Sequence, residues 1–229
     1  MSLFISFDPK STFLIFGLKE MNWFTTFFVL LLMFYSFWIL PSRMEIMKLN
    51  FLKSLNKQFS IALKSMKDGT QMYFSSIFLI ILFCNFFGLF PNFFTPSSHL
   101  MFNLFFSVPL WMGFFLYGWI IFSNKMLAHL VPLSTPMPLI SFMVLIESIS
   151  TLIRPGTLSI RLMANMVSGH LLLTLMGNAI VLKPFIIIII LIFIQTSLTM
   201  LEIGVSFIQA YVFCILLALY SDESDYNKI

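Results

Sequence analysis

IRLMANMVSGH, residues 160–170, sets an arginine, an asparagine and a histidine inside a run that is otherwise soluble in lipid. A charge at the centre of a bilayer costs at least ~2.5–3.5 kcal/mol on insertion scales. A residue that costly needs a job, and the surrounding sequence decides both the fold and the job. The 229 residues are 59% hydrophobic and 10% charged, against about 25% charged in a soluble domain. Such a chain cannot cover its apolar surface in water. It reads as an all-α integral membrane protein, a single membrane domain over 1–229 with about five crossing helices.

Around the arginine, residues 139–182 form an apolar stretch broken only by Pro155, and residues 185–220 run 36 positions with no proline. A helix of 36 residues extends ~54 Å, against a hydrocarbon core of ~30 Å. The two are therefore expected as long, steeply tilted helices, folded into a hairpin at Lys183-Pro184. Further out, residues 23–40, 73–90 and 100–122 are each long enough to span. Residues 123–138 carry three prolines and read as a loop, and the tail SDESDYNKI is polar. Between the first two spans, residues 44–67 repeat Ile46, Leu49, Leu52, Leu55, Phe59, Leu63 and Met66 at helical spacing with lysines between them. That pattern suits a helix lying on the membrane surface.

Charge gives the orientation. Six of the 13 basic residues, Arg43, Lys48, Lys53, Lys57, Lys64 and Lys67, fall in this segment, which marks it as the inner side. With no soluble domain to present the cluster, a nucleic-acid partner is excluded. Cys84 and Cys214 both lie in apolar runs and read as packing residues, not as a disulfide or a metal pair. The first 20 residues show neither a signal peptide nor an Arg-rich address.

Between residues 70 and 220 the only acids are Glu147 and Glu202, and the only bases are Lys125, Arg154, Arg161 and Lys183. The lysines sit at helix ends, where they can snorkel, and Arg154 falls beside the proline. On the last stretch Gln195, Glu202 and Gln209 recur every seven residues, on one face to within ~20° per heptad. Folding the hairpin matches polar groups in depth. The midpoint of His170 and Glu202 is position 186, and that of Arg161 and Gln209 is 185. A histidine opposite a carboxylate makes a proton relay, and a glutamine opposite an arginine can hold the guanidinium. Arginine does not deprotonate at working pH, so it blocks proton flow while favouring the ionised form of a nearby carboxylate. These residues describe a proton path cut in two by a fixed charge, with the carrier acid supplied by a partner.

The run ESISTLIRPGTLSIRLMANMVSGHLLLTLMG (147–177) resembles the signature of subunit a of F-type ATP synthases, in their mitochondrial form. NFFGLFPNFFT (85–95), PLWMGFFLYGW (109–119), AHLVPLSTP (128–136) and YVFCILLALY (211–220) extend the resemblance over nearly the whole chain. It implies a stator subunit that presses two tilted helices against a rotating ring of c subunits in the mitochondrial inner membrane, beside other stator membrane subunits and lipid. It implies no cofactor, no metal and no nucleotide site. Arg161 matches the family's essential arginine, and Asn165 its nearby asparagine. Glu147 matches an acid of the matrix-side half-channel. His170, Glu202 and Gln209 match the polar residues of the opposite route and the arginine's neighbour, and Asn85 a polar channel-associated position. Bacterial members typically carry an acid at 170 and a histidine at 202, so the pair is exchanged here. Two other readings compete. An ion-coupled secondary transporter, or another membrane proton-pathway subunit, also uses intramembrane charges, but a transporter usually shows repeat symmetry and none is found. A haem-binding subunit needs paired axial ligands, which three scattered histidines supply poorly.

Overall fold

A computed structural model describes residues 7–8, 21–23, 26–27, 41–63, 69–90, 93–131, 136–180 and 184–224. Among them six α-helices form: α1 (Arg43–Ala62), α2 (Gly69–Gly88), α3 (Leu100–Ile121), α4 (Ser123–His129), α5 (Ile140–Ile180) and α6 (Phe185–Ser224). No strand occurs among the described residues. Four segments, 69–88, 100–121, 137–180 and 185–222, are long and apolar enough to cross a bilayer. The expected first span, 23–40, lies largely outside the described residues, as do Lys183 and the end of the basic segment at 64–68.

α1 starts on a capping box. Glu45 N–H donates to Ser42 Oγ at 3.4 Å, and Ser42 N–H donates to Glu45 Oε2 at 2.8 Å. The helix buries Leu55 and Phe59 and leaves Lys48, Lys53 and Lys57 exposed. Phe59 meets Phe74 of α2 at 6.5 Å, and Phe51 meets Phe78 at 6.4 Å. Phe78 is near the middle of α2, so α1 leans against that helix over part of its length.

α2 and α3 wrap the inner faces of the two long helices. The core is Phe74, Phe78 and Ile81 of α2 against Leu158 and Leu162 of α5 and Phe213, Cys214 and Leu217 of α6. Cys84 and Cys214 are buried free thiols. A buried polar knot fixes the turn between α2 and α3: Asn103 Nδ2 donates to the Ser97 carbonyl at 2.8 Å and reaches the Ser159 carbonyl of α5 at 3.5 Å.

α5 and α6 hold 41 and 40 residues, about 60 Å each at 1.5 Å per residue. α5 passes through Pro155 without interruption, although proline has no amide for the Thr151 carbonyl. Two expectations need correction. The segment 123–138 does not open as a loop: residues 123–129 form α4 on the end of α3. Nor does the last helix stop at 220; it continues to Ser224. Ser221 and Ser224 hydroxyls donate to the carbonyls three residues back, at 2.7 and 2.8 Å. Their polarity is thus consumed within the helix, which buries both serines. Gly118 of α3 admits this end, since a Cβ there would lie 3.3 Å from Met126 Sδ and 3.5 Å from Ser224 Cβ.

Candidate functional site

Two clefts open along the α5–α6 pair, one on each side of Arg161. The first is built on the hairpin side. Asn165 Nδ2 of α5 donates to Gln209 Oε1 of α6 at 2.9 Å. Two turns nearer the hairpin, Glu202 sits against Gly169, where a Cβ would fall 2.9 Å from Oε1 and 3.0 Å from the carboxyl carbon. Glycine is the residue that lets the carboxyl reach α5. Both Glu202 oxygens are buried with no hydrogen-bond partner among the described residues. Asn85 comes in from α2, fully buried, with neither amide atom partnered among the described residues. These groups line a cleft of about 230 Å³ together with Ser168, Ser206 and the apolar Met166 and Leu198. Polar atoms left unbonded beside such a space call for water, and the volume accommodates several molecules.

His170 is at the same depth but does not face Glu202. Its ring is edge-on to Phe7 at 6.0 Å, it hydrogen-bonds the Gly88 backbone, and its Nε2 has no partner among the described residues. The helix explains the divergence. Consecutive residues are ~100° apart, so with Gly169 turned to α6, His170 turns to the end of α2. Likewise Gln209 meets Asn165, not Arg161. Four residues return to within ~40° of the same face, and depth matching alone does not separate positions one turn apart. Arg161 is exposed on the outer surface of α5, flanked by exposed Thr157, Ala164 and Ser168, and makes no ion pair with another described residue.

The second cleft lies toward the far end. Glu147 Oε1 is 3.6 Å from an Arg154 guanidinium nitrogen, and that guanidinium lies 5.1 Å from the Tyr220 ring centre. Trp111 and Phe115, stacked at 4.7 Å, wall the space with Trp119 and His129, and the volume is about 350 Å³. The Arg154 partnership was not anticipated from the sequence. Its signal was there: 147 and 154 are one heptad apart, hence on one face. No cluster of three or more potential metal ligands forms among the described residues.

The match with known proteins is extensive. A family model described as ATP synthase A chain matches residues 19–222. ATP synthase subunit a of Anopheles quadrimaculatus is 48% identical over 224 residues, 97% of this chain and 98% of the relative. The Artemia franciscana subunit a is 48% identical over 222 residues, covering 97% and 99%, and the Drosophila melanogaster one is 47% identical over 223 residues, covering 97% and 98%. The chain belongs to the ATP synthase subunit a family. That is the family of the proton-translocating stator subunit, a membrane component and not a catalytic subunit. The resemblance read from residues 147–177 thus holds over nearly the full length, and subunit a membership agrees with a chain that carries several apolar helices long enough to cross a membrane.

Proposed function

We propose that this subunit a works in the mitochondrial inner membrane as the static wall of a rotary proton path, with the outer face of α5 and α6 turned to a ring of c subunits. The observation that carries the reading is the arrangement of two polar clefts on either side of one exposed arginine. Along α5, Arg161 is ~21 Å from Glu147 and ~13.5 Å from His170 at 1.5 Å per residue. Among the described residues, Arg161 lines neither of these two clefts.

The steps follow from charge. A proton from the intermembrane space passes His170 and the hydrated cleft around Glu202, Asn85 and Gln209, and neutralises a c-ring carboxylate. The neutral ring site can then turn through lipid, where a charged one would be expelled. After a near-complete turn it reaches the cleft at Glu147, which opens to the matrix. The fixed charge of Arg161 favours the ionised carboxylate and stops protons running directly between the clefts. Asn165 holds Gln209 beside the arginine's face. Each charge crossing contributes about 2.3 kcal/mol per 100 mV, and the chain contributes no nucleotide chemistry. The basic segment places the amino terminus in the intermembrane space and the carboxyl terminus in the matrix; a label that reaches residues 222–229 only from the intermembrane space overturns this orientation.

The decisive experiment replaces the charge. In vesicles holding the assembled complex, Arg161→Gln is expected to abolish coupled ATP synthesis while the subunit still assembles, because a neutral amide is cheaper to bury than a guanidinium. Arg161→Lys should also fail to restore normal coupling, since an ammonium lacks the planar fork and loses its proton when desolvated. Normal synthesis with glutamine at 161 refutes the reading.

A further inference from the structure

Residues 7–8 and 21–23 are held at the end of the molecule where the Glu202 cleft lies. Asn22 Nδ2 donates to the Asp8 carbonyl at 3.1 Å. Beside it, Trp23 packs on Phe94 at 5.2 Å and on His99 at 5.5 Å, both in the turn that follows α2. Phe7, one residue before Asp8, places its ring edge-on to His170 at 6.0 Å. The imidazole is thus covered on one side by Phe7 and on another by the end of α2, where Gly88 supplies its backbone partner. Its Nε2 remains unpartnered among the described residues. The Asp8 side chain is exposed. Among the described residues the other carboxylates with described side chains are Glu45 on α1, Glu147 and Asp222 at the far cleft end, and Glu202 inside its cleft. Among these described carboxylates, Asp8 is the one that adjoins in sequence a residue packed on the histidine.

We infer that Phe7 and Asp8 form the outer collar of the proton inlet: Phe7 seals one flank of His170, and the Asp8 carboxylate collects protons from the aqueous phase for the imidazole. The inference rests on the proposed inlet at His170 and Glu202. It adds the group that gathers the proton before the buried route begins. The proton leaves hydronium or a buffer acid for an Asp8 oxygen, then passes, directly or through water, to an unprotonated imidazole nitrogen. The carboxylate is then ready to accept the next proton. A surface carboxylate beside a narrow inlet also attracts cations from solution. The aromatic contact with Phe7 holds the collar in place without competing for the histidine's nitrogens.

The test uses proteoliposomes holding the whole assembled complex, with the intermembrane-space face inward and the lumen weakly buffered. Asp8→Asn keeps the backbone carbonyl that Asn22 binds, so the segment stays anchored. It is expected to slow proton-driven ATP synthesis about tenfold, the low end of electrostatic effects on association rates. Imidazole loaded into the lumen should restore the rate by carrying protons past the missing group, and Asp8→Glu should behave as the parent. Parental rates for Asp8→Asn in weak buffer overturn the collar, and so does a loss that luminal imidazole leaves unrelieved. Glu202→Gln in the same vesicles separates the two ideas. Full activity there sinks the inlet itself, whereas an inactive Glu202→Gln beside an unaffected Asp8→Asn removes only the collar.

Discussion

The two clefts hold the same functional group in opposite circumstances. Glu202 is 9% exposed, pressed on a glycine, with both oxygens unbonded among the described residues. Glu147 has a side chain 39% exposed and faces Arg154 at 3.6 Å. A buried carboxylate with no counter-ion is stable only with water or a proton, which suits a group that picks up a proton and passes it on. A half-exposed carboxylate beside a fixed cation has both solvent and a counter-ion within reach, which suits a group at an exit. The surroundings differ too: amides, hydroxyls and aliphatic side chains around Glu202, hydroxyls and aromatic rings around Glu147. On the proposed reading, environment and not residue type would set one acid for proton uptake and the other for release.

The comparison breaks first at Glu202. Glu202→Gln keeps the shape of the side chain but cannot exchange a proton, and no second acid lines that cleft among the described residues. Proton-driven synthesis is expected to fall about 10²-fold, the usual scale for losing a positioned acid–base group. Full activity in vesicles of the assembled complex would remove this acid from the mechanism. Exchanging His170 and Glu202 should recover only part of the rate. The carboxylate would then face Gly88 and Phe7, and the imidazole would have to fit against Gly169.

Next in size is the seat of that carboxylate. Gly169→Ala places a methyl group 2.9 Å from Glu202 Oε1, so the carboxyl must withdraw from α5. Overpacking of this kind costs about 1–3 kcal/mol. Here the flexible end of Glu202 moves first, so the expected result is an assembled complex with synthesis reduced about tenfold, a change of ~1.4 kcal/mol. Assembly is read by native gel and rate by ATP production. A parental rate would show that the carboxylate works equally well away from α5.

What the sequence disclosed follows from what lipid enforces. Long apolar runs must become helices, because unbonded backbone is too costly in a bilayer, and so α2, α3, α5 and α6 lie close to where hydropathy puts them. Depth was also legible, since 1.5 Å per residue converts counting into position. Direction was not. Counting puts His170 level with Glu202 and Arg161 level with Gln209, yet the actual neighbours are Gly169 and Asn165. Rotation about the helix axis is set by packing against α2 and α3, which no count along α5 contains. The proline-rich segment misled for a related reason. Its prolines begin only at 132, so 123–129 were free to form a helix.

At the second cleft the effect should be smaller. Arg154→Gln removes the counter-ion of Glu147 but leaves it partly exposed. Pairs with such exposure are worth about 0–1 kcal/mol, so synthesis should fall by no more than about fivefold, with Arg154→Lys closer to the parent. A loss as deep as that of Glu202→Gln would erase the distinction between an orphaned and a paired acid.

The smallest effect tests the joint between the clefts and the arginine. The Asn165–Gln209 hydrogen bond, 2.9 Å long and part-buried, ties α5 to α6 one turn from Arg161. A neutral bond of this kind contributes about 1 kcal/mol net. Asn165→Leu alone leaves the Gln209 amide without its donor, and Gln209→Leu alone leaves the Asn165 amide without its acceptor. Each single variant should therefore be less stable than the parent, measured as the detergent or temperature midpoint for loss of the subunit from the complex. The double variant exchanges both partners for apolar groups of similar size, so it should lose less than the sum of the two singles, with a coupling of about 1 kcal/mol. Synthesis in the double variant should stay within about threefold of the parent, because the charge of Arg161 and the carboxylate of Glu202 are both retained. Strict additivity of the two singles would mean that the amides do not act as a pair, and that another contact sets the register of the hairpin beside the arginine.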